Sequence, residues 1–194
     1  MDIRDAQKEM RTVFLGGSVG QAVSGLIWLI SAAVATWVSV NLAIIILAVG
    51  GAFIYPLTRL GLILLGQRGS LSRENALSQL AMQVAFTVPL ALPVIGAAAL
   101  YNINWFYPAF MIIVGAHYLP FMFLYGMQHY VILAAALIGG GFIIGRFMPE
   151  NFVLGGWFTA VVLIGFAFLA WRVWAGESKG QRADNRRQMT EDIS

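Results

Sequence analysis

One histidine, His117, stands deep in an apolar stretch, twelve residues after Trp105 and nine before Gly126. An imidazole in hydrocarbon can donate, accept or carry a proton where water is scarce, so its position points to a binding or transport site. Pro120, three residues on, has no N–H for the Ala116 carbonyl and should kink a helix beside it. Tyr118 and Tyr125, seven apart, share a helical face with Met111, Gly115 and Met122. Two polar stripes accompany this node. Asn75, Gln79, Gln83 and Thr87 recur at every fourth residue, and Gly17, Gln21, Ser24, Trp28 and Ser31 follow a 4-3-4-3 spacing. Amides that face lipid are costly, so both stripes are expected to point into a helical bundle, as helix glue or as the lining of a cavity. Tyr55 and Arg59, one turn apart, either snorkel to the headgroups or turn inward at the mouth of that cavity.

Covalent chemistry has weaker support. Gly16-Gly17-Ser18-Val19-Gly20 matches the G-x-S-x-G pattern of hydrolases, whose mechanics need a sharp turn before the serine. A Ser18–His117 dyad of the rhomboid protease kind would join residues at different depths, as would a bis-histidine haem site on His117 and His129. The chain has no cysteine, which removes thiolate and iron–sulfur chemistry. No Asp or Glu lies deep in an apolar run, which argues against carboxylate proton coupling and di-metal chemistry. We therefore assign no catalytic residue, no metal site and no cofactor from the sequence.

These residues need elements to hold them, and composition decides the solvent. Of 194 residues 59% are hydrophobic and 11% charged, and between Thr12 and Trp171 only Arg59, Arg68, Arg73, Glu74, Arg146 and Glu150 carry charge. Soluble domains carry about 25% charged residues, so a bilayer must cover most of this surface. A soluble enzyme, a disordered chain and a nucleic-acid module are excluded. Apolar runs long enough to cross cover about 12–38, 41–65, 76–100, 105–126, 128–147 and 152–174. The expected architecture is an all-α polytopic membrane protein: a segment 1–11, a six-helix domain 12–175 and a polar, frayed tail 176–194. Glycines 16, 17, 20 and 25 should tilt or bend the first span. Asn41, Ser72, Asn104 and Asn151 are candidate N-caps. With both ends cytoplasmic, eleven of the twelve basic residues fall inside and Arg146 alone outside, as the positive-inside rule asks. This placement implies a multi-pass protein of a cell inner membrane, with no cleaved signal.

Six spans divide into three plus three, and Gly50-Gly51-Ala52-Phe53-Ile54 echoes Gly139-Gly140-Gly141-Phe142-Ile143, as an inverted repeat would. The segment Tyr107-Pro108-Ala109-Phe110-Met111-Ile112-Ile113-Val114-Gly115-Ala116-His117-Tyr118-Leu119-Pro120-Phe121 resembles one found in an uncharacterised family of small bacterial multi-pass inner-membrane proteins. That resemblance implies the membrane architecture and no activity. Taken together, the residues describe a small-molecule transporter or membrane-embedded binding protein. Its cavity would be lined by Gln21, Trp28, Gln83, His117 and Tyr118, with Tyr55 and Arg59 at its inner mouth, for a small neutral or anionic ligand. A non-catalytic membrane scaffold is the alternative, and a Ser18/His117 hydrolase a distant third. The partners are the lipid bilayer and no nucleic acid; the pairs Gly16/Gly20 and Gly141/Gly145 would also suit a homodimer face.

Overall fold

The first apolar run does not cross as one rod. The computed structural model describes residues 1–191, side chains of 179 and 181–191 excepted, and places a break at Leu15–Gly17. Leu15, Gly16 and Gly17 take φ of 51°, 63° and 81°, three left-handed residues in a row. They separate helix α1 (Ile3–Phe14) from α2 (Ser18–Trp37), so the first crossing begins at Ser18 rather than Thr12. Left-handed backbone is cheap for glycine and ends a helix by turning its carbonyls elsewhere. Here the Leu15 N–H caps α1 through the Arg11 carbonyl.

α1 is amphipathic. Ala6, Met10 and Val13 are buried at helical spacing, whereas Arg4, Asp5 and Lys8 are exposed. The helix lies across one end of the bundle and ties three other segments together. Gln7 Nε2 donates to the Phe123 carbonyl (2.7 Å) and Arg11 Nη1 to the Tyr125 carbonyl (2.6 Å). These are carbonyls of a helix C-terminus that have no partner within their own helix. Arg11 Nε also meets Glu177 at 2.9 Å. Glu9 accepts from Asn75 Nδ2 (2.6 Å) and from the Ser72 N–H (2.8 Å).

The Asn75 bond, and after it the Ser72 N–H, hold the Glu9 carboxyl below its ordinary value of 4.5. A carboxyl whose value falls on folding adds stability above the ordinary value, and that stability is lost as pH drops through the lowered one. A spin label at Lys8→Cys should therefore be immobile at neutral pH and gain mobility as pH falls below the ordinary carboxylate range. Glu9→Gln should show the mobile spectrum already at pH 7. A pH-independent spectrum for the native residue would refute the carboxylate's part in docking.

Five further helices complete the membrane domain: α3 (Val40–Leu64), α4 (Leu77–Tyr101), α5 (Phe106–Tyr125), α6 (His129–Phe147) and α7 (Leu154–Glu191). Together with α2 they give six helices long and apolar enough to cross a membrane, and the described residues are otherwise turns and short helical segments. The chain is an all-α multi-pass membrane protein. Helix starts differ from the sequence reading by a residue or a few, and the caps move accordingly. Ser39, not Asn41, accepts from Leu42 N–H; Asn75, not Ser72, from Leu77 N–H; Asn102 rather than Asn104 caps the turn before α5. Asn151 accepts from Leu154 N–H, as its position suggested. The polar tail was expected to fray from 176, yet α7 continues as helix to Glu191. Arg11 anchors Glu177 just beyond the span, and no proline follows Gly176 to stop the helix. Residues 192–194 of that tail lie outside the described residues.

α2 packs between α3 and α7, and α5 between α4 and α6, so the third helix of each triad lies on the first helix of the other. α2 and α5 meet at the centre through rings. Trp28 lies 5.7 Å from Tyr107 and 5.3 Å from Phe110, and the Tyr107 hydroxyl shares a 2.6 Å hydrogen bond with Ser31, which donates on to the Ala43 carbonyl. The glycine pairs offered as a dimer face are used inside the chain. A Cβ at Gly141 would stand 2.8 Å from the Pro108 carbonyl, Gly145 also meets Pro108, Gly20 faces Thr58, and Gly16 lies against Met127. Close helix approach consumes them.

Candidate functional site

The α2 stripe does face inward. Ser18, Gln21, Ser24, Trp28 and Ser31 are all buried. Gln21 is 2% exposed, and neither its Oε1 nor its Nε2 has a partner among the described residues. Leaving both ends of a carboxamide unbonded in a dry interior costs about 1–3 kcal/mol per group, so this position needs a reason. Its surroundings supply one. One turn toward the break, Gly17 abuts Tyr125 and Tyr130; one turn the other way, the Ser24 hydroxyl lies beside that of Tyr118. Tyr118 and Tyr125 come from α5 and Tyr130 from the first turn of α6. Their rings stack at 6.1 Å (Tyr118–Tyr130) and 5.5 Å (Tyr125–Tyr130). The Tyr130 hydroxyl donates to the Gly16 carbonyl at 2.6 Å, which locks the break onto the cluster. His129 stacks on Tyr130 at 4.6 Å, and its Nε2 is a third buried polar atom without a partner among the described residues.

The cluster is chemically neutral. It offers hydroxyls, a carboxamide and an imidazole, and the Arg11 guanidinium bonds to the Tyr125 backbone carbonyl. Such a set binds by hydrogen bonding and ring contact; it has no acid–base pair and no activated nucleophile.

The other expected lining residues are elsewhere. His117 is half-buried and turned to α4, where its Nδ1 lies 2.9 Å from the Val84 carbonyl and 2.9 Å from Thr87 Oγ1. A carbonyl only accepts, so the proton sits on Nδ1 and Nε2 is left as an acceptor. The α4 stripe does not point inward as a whole: Asn75 is buried, but Gln79, Gln83 and Thr87 are exposed. α4 has α5 as its main neighbour, and Leu77, Val84 and Ile95 already occupy the face it presents to the core. Tyr55 is 69% exposed on α3 and Arg59 half-buried, and neither hydrogen-bonds to α2 or α5 among the described residues. The structure thus buries Gln21, Trp28 and Tyr118 inside the bundle, with His117 half-buried beside Tyr118 (rings 5.5 Å apart) and bonded to α4, whereas Tyr55 and Gln83 are exposed and Arg59 is half-buried.

Ser18 follows a genuine sharp turn, because the glycines before it are left-handed, so the G-x-S-x-G pattern is not inside a continuous helix. Its Oγ nevertheless donates to the Leu15 carbonyl at 2.8 Å, whereas His117 bonds to α4; no dyad is assembled. Tyr130 escaped the sequence reading, and His129 entered it only as a partner of His117 in a haem site. The available signal was the Tyr118/Tyr125 spacing followed, past Gly126, by Tyr130. An apolar groove of about 450 Å³ between α6 and α7, lined by Ala135, Gly139, Ile143 and Phe158 among others, has no polar side chain and faces lipid instead.

Residues 3–173 match the model of one protein family. The chain belongs to the DUF7010 family. It is described as a family of unknown function. The DUF7010 match begins in α1 and ends in α7, so it takes in the helix break, the tyrosine cluster and the docked N-terminal helix together. No curated protein and no solved structure matches the chain.

Proposed function

We propose that this DUF7010 protein is a membrane-embedded binding protein, of the kind a small transporter is built on, for a small neutral hydrogen-bonding molecule held between α2, α5 and α6. The observation that carries the reading is the Gln21 carboxamide, which is buried and unbonded at both ends among the described residues, on a face of α2 whose flanking turns meet Tyr125 and Tyr130 at Gly17 and Tyr118 at Ser24. A guest with one donor and one acceptor would satisfy it. The groups gathered here are uncharged and the adjacent Arg11 guanidinium is already engaged by the Tyr125 carbonyl and Glu177, which favours the neutral over the anionic ligand read in the sequence. The protein sits in a bacterial inner membrane with both termini in the cytoplasm, a placement supported by the eleven basic residues at that end. The break at Leu15–Gly17 then lies near the cytoplasmic surface, held to α6 by the Tyr130 hydroxyl.

Gln21→Leu tests this, because it removes the unbonded amide while keeping its volume. Native mass spectrometry of protein released gently from membranes should show a discrete added mass in the native chain and none in Gln21→Leu. The variant should also be more stable when empty, by about 1 kcal/mol or more, since an unsatisfied polar pair has gone. A bare native chain together with a destabilised variant would sink the proposal and favour the scaffold, in which Gln21 is only glue.

A further inference from the structure

The exposed amides of α4 call for a partner of their own. Gln79, Gln83, Phe86, Leu90, Pro93 and Ala97 follow a 4-3-4-3-4 spacing, and all six are exposed. That spacing is the seam of a left-handed helix pair, on the side of α4 away from Val84 and Ile95, which pack inward. Other lipid-facing surfaces are apolar: Ile45, Val49 and Phe53 on α3, Val161 and Phe168 on α7. Gln83 stands six residues into its helix, about 9 Å along the axis, past the first turn.

We propose that this seam is the contact between two copies of the chain, with α4 parallel to α4 about a twofold axis along the membrane normal. Copies inserted the same way can form an isologous pair only about such an axis, and it places each residue opposite itself. A carboxamide suits that geometry. It carries donor and acceptor on one group, so Gln83 satisfies Gln83, and Gln79 can do the same one turn away. Phe86 and Leu90 supply the apolar continuation. A polar pair in an otherwise apolar seam also fixes its register. The contact is independent of any ligand at Gln21.

The lack of native cysteine allows a direct test by oxidative cross-linking in lipid vesicles. Leu90→Cys, which leaves both amides in place, should give a disulfide-linked dimer, and Gln83→Cys should do so too. Ile45→Cys and Val161→Cys, on other exposed faces, should not. Gln83→Leu should weaken self-association about threefold or more, the loss of one interhelical hydrogen bond in a membrane. Cross-links at 45 or 161 in place of 90, a monomer in vesicles, or unchanged association in Gln83→Leu would each overturn the proposal.

Discussion

Replacing Gly17 with alanine is expected to cost about 3 kcal/mol or more, the sum of left-handed strain and overpacking. The residue sits at φ 81°, and a Cβ there would collide with the Tyr130 hydroxyl and stand 3.2 Å from the Tyr125 ring. Tyr130 cannot simply step aside, because its hydroxyl is bonded to the Gly16 carbonyl. The variant must therefore either straighten the break or push α6 away from α2. Titration of helicity with SDS in mild detergent reads the loss. Gly51→Ala and Gly139→Ala are the controls: both lie in helices with nothing within 4 Å of a new Cβ. They should be neutral or stabilising by about 0.5–1 kcal/mol. Equal effects at all three positions would show that the break is not the strained point of the fold.

The second large effect is Trp28→Ala, expected to cost about 3–5 kcal/mol. Trp28 is 2% exposed and bridges α2 to α5 against Tyr107 and Phe110. Between membrane helices the lost contacts are mainly dispersion, since lipid offers no hydrophobic drive to close the gap. The same SDS titration should show the native transition shifted or lost. A shift no larger than that of an exposed control such as Phe142→Ala would mean the two triads are held together elsewhere.

Much of the architecture was legible because the bilayer imposes a length. Six apolar runs became six spans, since about 20 residues of helix are the least that hide the backbone in a crossing. The break within the first run was not, because glycines are tolerated inside membrane helices and their spacing gives no φ. Periodicity correctly grouped Gln21, Ser24 and Trp28 on one face, and equally correctly grouped Gln79 with Gln83. What it could not supply was the direction in which each face looks. α2 packs between α3 and α7 and meets α5 through Trp28 and Ser31, so its polar face had to be internal; α4 rests mainly on α5 and has a free side. His117 shows the same limit: depth and residue type marked it, but its bond to Val84 depends on which helix happens to be adjacent. The tyrosine cluster draws on Tyr118, Tyr125 and Tyr130 across a helix turn, and only packing reveals that their rings converge.

The docking of α1 also sets an order of assembly. Its partners are Ser72 and Asn75, then Phe123 and Tyr125, and finally Glu177. During synthesis α1 leaves the ribosome before any of these groups, and Glu177 is made only after the sixth span. The anchors of α1 therefore become available in stages, first the segment before α4, then the end of α5 and last α7. Its full set of contacts exists only once the whole bundle has been made.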